Sequence, residues 1–231
     1  MAIEGVQTRR ADSADVEAIA AAHRDAILSI GAGFYPPHVV ADWQAGISRE
    51  LYLEAMARGE VFFVAIGSRH DQPIVLGFAS DYAIEGTTHG TSVYVRGSAA
   101  RRGIGSALLR LAEAHGVMNG ATSVHIEASL AGVDFYRANG FVEIGHGETR
   151  LTTGRTIACV FMRKDLTAAQ SSAFRDSGTN STPFHYSVGG DDASAWNRAA
   201  RTRHPVRHRA DPVRTTGIPP LRISTALGSS Q

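Results

Sequence analysis

ARRGIGSAL (Ala100–Leu108) runs two arginines into a pair of glycines and then into a string of good helix formers. Glycines just ahead of a helix leave the first N–H groups, here those of Arg102, Gly103, Ile104, Gly105 and Ser106, without intrahelical partners and able to converge on one anion. Gly103 and Gly105 carry no Cβ, so an oxygen can approach the main chain closely. Arg101 and Arg102 add positive charge, and Ser106 adds a hydroxyl. A diphosphate is the natural guest.

The flanking segments set this loop in an alternating chain. TSVYV (Thr91–Val95) reads as the strand before it, and IGSALLRLAEAHGVMN (104–119) as an amphipathic helix after it, with Leu108, Leu111, Ala112 and His115 on one side and Arg110 and Glu113 on the other. SVHIEA (123–128) then reads as a strand, and AGVDFYRANG (131–140) as a helix ended by an Asn-Gly cap. FVEIG and RTIACVFM, joined through a Thr-Thr-Gly turn, make a terminal hairpin. Upstream, VFFVAIG (61–67) and PIVLGFASDY (73–82) flank the polar turn SRHDQ and form another hairpin. GVQTRRA (5–11) supplies a first strand, and Asp12 or Ser13 caps a helix whose core face is Val16, Ile19, Ala20, His23 and Ile27. Two short helices, one opened by Pro36-Pro37 and running through Trp43 and one over 48–58, fill the interval. The predicted fold is a mixed α/β domain with antiparallel hairpins at both ends.

Three phosphate-binding patterns compete for the glycine stretch. A P-loop needs a lysine before its Ser/Thr, and this region has none. The dinucleotide fingerprint matches the spacing of Gly103 and Gly105, with Glu127 about where a ribose-binding acid stands. Leu108 fills its third small position, however, and seven residues (96–102) separate the strand from Gly103, where a Rossmann turn needs almost direct entry.

The chain has 231 residues, 43% hydrophobic and 19% charged, enough for one domain with a sizeable core. Its apolar runs are far shorter than the roughly 18–20 residues that span a bilayer, and the start lacks a basic-then-apolar leader, so a soluble cytoplasmic protein with no membrane partner is expected. A single cysteine, Cys159, excludes an intrachain disulfide and a cysteine zinc cluster, and no metal site is expected. The net charge of +1 conceals an asymmetry: residues 1–166 carry −3, residues 167–231 carry +4. From Thr167 onward Ser, Thr, Pro, Gly, Arg and Ala dominate without periodicity, so 167–231 is expected to be a disordered tail after a domain over 1–166. Its basic run RTRHPVRHRADPVR (201–214) has no regular charged face, and nucleic acid is an unfavoured partner.

SVYVRGSAARRGIGSALL (92–109) resembles motif A of the Gcn5-related N-acetyltransferases (GNAT), in which a strand and short loop lead into Q/R-x-x-G-x-G/A at a helix start. Gly103 and Gly105 match the glycines, whereas Ala100 stands at the Gln/Arg position. DFYRANGFVE (134–143) is similar to the family's motif B. The resemblance covers about 6–166 and implies a splayed central sheet flanked by helices. It further implies acetyl-CoA as acetyl donor, its pyrophosphate on the loop of Arg101 to Ser106.

What the resemblance implies for the rest of the site follows from that fold. The pantetheine arm would lie between TSVYV and SVHIEA, pairing with the backbone of Val93, Tyr94 and Val95, with Ser129 near a further cofactor contact. Tyr136 matches the tyrosine that protonates the leaving thiolate. The general base is open: relatives resembling phosphinothricin acetyltransferase carry a Glu where this chain has Gly90, leaving His89, Glu85 and Glu127 as candidates. His titrates near neutral pH, and a water chain can carry the proton. The acceptor expected is a small primary amine, acetylated by direct transfer in a ternary complex; Phe34, Tyr35 and Trp43 are candidates for its pocket. A homodimer is possible on the same resemblance. A non-catalytic acyl-CoA-binding or regulatory module is the alternative, motivated by Ala100 and Gly90.

Overall fold

A computed structural model describes residues 5–69 and 72–167; the sequence readings for 1–4 and for the tail beyond 167 lie outside the described residues. Eight strands form one mixed sheet: β1 (Gln7–Arg10), β2 (Val61–Arg69), β3 (Gln72–Glu85), β4 (Thr88–Gly90), β5 (Val93–Val95), β6 (Ser123–Ser129), β7 (Val142–Arg150) and β8 (Thr156–Asp165). The helices are α1 (Val16–Ser29), α2 (Pro37–Ala45), α3 (Arg49–Ala57), α4 (Ile104–Met118) and α5 (Val133–Ala138). The order β1-β2-β3-β4-β6-β8-β7 is antiparallel except where β4 runs parallel to β6.

The sequence treated 83–90 as loop, but β3 runs on to Glu85 and Thr88–Gly90 forms β4; within TSVYV the strand is Val93–Val95, β5. β4 pairs with both β3 and β6, while β5 pairs with β3 alone. The break falls at Thr91–Ser92, where the Thr91 hydroxyl donates to the Ser80 carbonyl at 2.6 Å and the Ser80 and Ser92 hydroxyls meet at 2.9 Å. Beyond Gly90↔His125 the sheet parts: one edge of β5 and the residues 126–129 of β6 face each other without pairing.

Three apolar clusters fill the two sides of the sheet. α1, α2 and α3 pack Val16, Ile19, Ile27, Trp43 and Tyr52 against Phe62, Val64 and Phe78. α4 covers Phe63, Ala65 and Leu76 with Ile104, Leu108 and Leu111, and α5 joins Tyr136 to Val124, Ile126, Phe141 and Met162. Every residue assigned to the core face of α1 is buried.

Two local expectations are corrected. α1 starts at Val16, not directly after Asp12 or Ser13: the Asp12 side chain accepts from the Ala14 amide at 2.8 Å, and the Asp15 carboxylate reaches back to the Asp12 amide while taking both Arg9 nitrogens at 2.7 Å. Glu113 does not lie on the solvent face of α4. It is 3% exposed and holds Lys164 of β8 at 2.6 Å, an ion pair that ties the helix to the sheet beside the Phe141 ring. Burying the Glu113 charge is tolerable only because it is paired.

Candidate functional site

α4 begins where the first intrahelical bond, Ala107 N–H to the Gly103 carbonyl at 3.0 Å, closes. The amides of Ile104, Gly105 and Ser106 precede it and are left for another acceptor. Gly103 makes the turn with φ +80°, and Arg101 also sits in the left-handed region at φ +63°. For a non-glycine residue that conformation costs about 1–2 kcal/mol, so the loop is held in a shape its local preference opposes. Gly105 answers a different demand: a Cβ there would stand 3.0 Å from the Phe135 ring and 3.5 Å from Val95.

A cavity of about 640 Å³ runs from this loop through the parted sheet. At the loop end it is lined by Ala100, Arg101, Gly103, Gly105, Ser106 and Phe135, and in the middle by Thr91 to Val95 on one wall and Ile126 to Ser129 on the other. Its far end lies under α1 and α2. Helix dipole and orphan amides at α4 favour an anion at the first end. The free edge of β5 supplies N–H and C=O groups to an extended ligand in the middle.

Tyr136 lies in that middle section. Helix α5 is capped at Asn139, Gly140 turns with φ +88°, and the Phe141 amide returns to the Tyr136 carbonyl at 3.1 Å, fixing the residue against β6. Its ring packs on Phe141 at 5.3 Å and on Phe135 at 5.0 Å. Burial raises its pKa well above the ordinary tyrosine value, only partly opposed by a hydrogen bond with the Val93 backbone, so the hydroxyl keeps its proton at neutral pH.

Of the other sequence candidates, Val93, Tyr94, Val95, Ser129 and Glu127 all line the cavity. Arg102 is exposed and outside the lining, and the Ile104 side chain is buried in the core beneath α4, which leaves its amide alone at the loop. His89 stands apart from these. It lies outside the cavity lining and is 6% exposed, its Nδ1 2.8 Å from Asp81 Oδ1, while His115 Nδ1 is 2.7 Å from the second oxygen of the same carboxylate. Asp81 is thereby shared between β4 and α4. Gly90 has a packing reason, since the Tyr82 ring occupies the place a Cβ would take. Glu85 lies outside the lining as well. Phe34 and Trp43 line the far end, whereas Tyr35 does not; its hydroxyl donates to the Ala158 carbonyl at 2.7 Å and accepts from the Leu130 amide at 2.8 Å.

Sequence reading missed His23 as a cavity residue. Its place on the apolar face of α1 signals packing, and it is fully buried, its Nδ1 2.6 Å from the Tyr52 hydroxyl and its ring 3.7 Å from that of Tyr94. It also lines the cavity, and burial lowers its pKa to about 3, so it is neutral. Among the described residues no group of three His, Cys, Asp or Glu could hold a metal ion, and no helix is long and apolar enough to cross a membrane.

Residues 58–143, which include the loop, α4, β6 and α5, match the model of the acetyltransferase (GNAT) domain. Over that stretch the chain is similar to a GNAT domain. Its architecture, with the eight-stranded mixed sheet flanked by helices, is that of solved GNAT structures. A GCN5-related N-acetyltransferase from Rhodopseudomonas palustris superposes with a TM-score of 0.60 over 72% of this chain and 99% of its own, at 21% identity. The PaiA N-acetyltransferase from Thermoplasma acidophilum, in complex with coenzyme A, gives 0.55 over 70% and 99% at 18% identity. A GNAT phosphinothricin acetyltransferase from Sinorhizobium meliloti, in complex with acetyl-CoA, gives 0.52 over 80% and 96% at 22% identity. No curated protein sequence matches the chain significantly.

Proposed function

We propose that this protein moves an acetyl group from acetyl-CoA to a primary amine of a small molecule, by direct transfer in a ternary complex. The observation that carries the reading is the continuity of one cavity from the α4 loop, through the opening beside β5, to Tyr136 and Glu127. A diphosphate on the loop and an extended pantetheine along β5 bring a thioester to the middle of that cavity.

The chemistry needs a neutral amine, a polarised carbonyl and a proton for the leaving sulfur. Glu127, on the wall facing β5, accepts a proton from the incoming ammonium, directly or through water. The amine lone pair attacks the thioester carbon; the amide of Val95, or one beside it, bears the negative charge on oxygen. Collapse of the tetrahedral intermediate breaks the C–S bond. Tyr136, kept protonated by burial, gives its proton to the thiolate, and the excess proton of the new amide nitrogen returns to the site and solvent. Ser129 at the end of β6 and Arg101 at the loop contact the cofactor, and Ser106 adds its amide and hydroxyl. His89, held by Asp81, has no part in this proposed scheme.

The test is thiol release from acetyl-CoA in the presence of a panel of amines. Release above the hydrolysis blank is expected. None, from protein that acetyl-CoA stabilises against heat, would favour a module that binds the cofactor without turning it over.

A further inference from the structure

The far end of the cavity is built differently from the end at the α4 loop. Ile27, Trp43, Ile47 and Leu151 belong to the apolar core between α1, α2 and the sheet, and Ile30 and Phe34 extend it to the surface. Among the described residues only two acidic ones line the cavity. One, Asp134, stands beside Phe135 at the opposite end and is ion-paired with Arg137, with its carboxylate 92% exposed. The other is Glu127, in the middle section. His23 is uncharged and does not repel a cation. Arg150 also lines this end, but along β7 it alternates with Thr149, whose register partner Ile157 is buried; the guanidinium therefore belongs to the opposite, exposed face.

Resting on the acetyl-transfer reading, we infer that the acceptor is a small monoamine with an apolar body, a single ring or a short alkyl chain, seated among Ile27, Ile30, Phe34, Trp43, Ile47 and Leu151. Its nitrogen points toward Glu127 and Tyr136. One carboxylate matches one ammonium. A polyamine or an aminoglycoside would bring further charges into an apolar chamber that, among the described residues, has no acidic partner for them. The aliphatic and aromatic walls gain affinity from each methylene they remove from water. Phe34, 53% exposed, forms the outer lip and is freed of its own solvent contact by an apolar guest.

The experiment compares kcat/KM for phenethylamine and the linear amines from propyl to hexyl with values for phenylalanine, spermidine and an aminoglycoside. At least a tenfold preference for phenethylamine over the three comparators is expected, and KM falls about fourfold per added methylene in the linear series. Phe34→Ala, at an exposed position where folding is not at stake, raises KM for phenethylamine about tenfold and leaves KM for acetyl-CoA unchanged. Preference for spermidine, the aminoglycoside or phenylalanine, or a KM indifferent to chain length, overturns the inference. Thermal shifts with each ligand alone separate it from the parent reading. Stabilisation by acetyl-CoA but by no apolar amine, with or without CoA present, overturns the chamber and keeps the cofactor site. Stabilisation by phenethylamine but not by acetyl-CoA supports the chamber and removes the cofactor.

Discussion

Tyr136, carried on α5, packs in one apolar cluster with Val93 of β5 and with Ile126 and Ala128 of β6, so one side chain meets both walls of the opening in the sheet. Its protonated state at neutral pH follows from burial, and its place beside the free edge of β5 suits it to donate to a sulfur lying there. Tyr136→Phe keeps the ring contacts with Phe141 and Phe135 and removes only the donor. A fall in kcat of about 10²-fold or more is expected from the loss of a general acid, with KM for acetyl-CoA changed by less than about twofold. Thiol release under saturating cofactor measures it, and an unaltered kcat would strip Tyr136 of the acid role.

Gly105 faces Phe135 and Val95 so closely that a branched side chain has no room. Gly105→Val drives the Phe135 ring or the first turn of α4 out of place and distorts the amides of Ile104 to Ser106. In the unaltered protein, acetyl-CoA at a hundredfold excess over Kd stabilises the fold by about 2.7 kcal/mol. The variant should retain less than half of the corresponding rise in melting temperature. Retention of the full shift would place the diphosphate elsewhere.

Much of this site was legible because its determinants are local. The glycine pair before α4, the Asn-Gly end of α5 and the apolar period of α1 each depend on a few adjacent residues, and each stands where the sequence put it. What was illegible depends on partners far apart in the chain. The break between β4 and β5 at Thr91–Ser92 follows from Ser80 meeting both residues across the sheet. Glu113 reads as a surface residue at its position in the helical period and becomes buried only because Lys164, 51 residues later, is there to pair with it. His89 lies one residue from a position where relatives carry an acid, yet its ring is claimed by Asp81.

That claim leads to a prediction about stability. Burial pushes the Asp81 carboxyl up, but the hydrogen bonds from His115 and His89 outweigh it and hold the group below its ordinary 3.8. A carboxylate with a depressed folded-state pKa contributes stability that is present above pH 4 or so and is lost as pH falls further. His89→Ala leaves one buried Asp81 oxygen without its partner, at a cost of about 1–3 kcal/mol. The melting temperature at pH 7.5 drops accordingly, while the pH dependence of kcat/KM keeps its shape. A shifted acid limb in that profile would bring His89 into the proposed scheme.

Cys159 on β8 is 2% exposed, and burial, with Glu127 and Glu148 nearby, pushes its thiol pKa up to about 12. The thiolate is the reactive form. The folded protein should therefore resist aromatic disulfide reagents at pH 8 for hours and release one thiol per chain only in denaturant. Rapid labelling of the native protein would show that this part of the β7–β8 hairpin opens.

His23 gives a second pH window, higher than that of Asp81. Its ordinary pKa of 6.5 falls to about 3 in the fold, chiefly through burial and in smaller part through Arg24. The unfolded chain accepts a proton at His23 below about pH 6.5 that the folded chain refuses until about pH 3. Stability is thus complete above pH 6.5 and declines as pH falls between those values. His23→Met removes the titration and leaves the Tyr52 hydroxyl without its 2.6 Å partner, so the variant is less stable at pH 7.5. Between pH 7.5 and 5, however, its melting temperature should fall by less than half as much as that of the unaltered protein. Carboxylates common to both proteins cancel in that difference. Equal slopes in the two proteins would mean that the imidazole takes up its proton without unfolding, and that the packing of His23 against Tyr94 tolerates a charge.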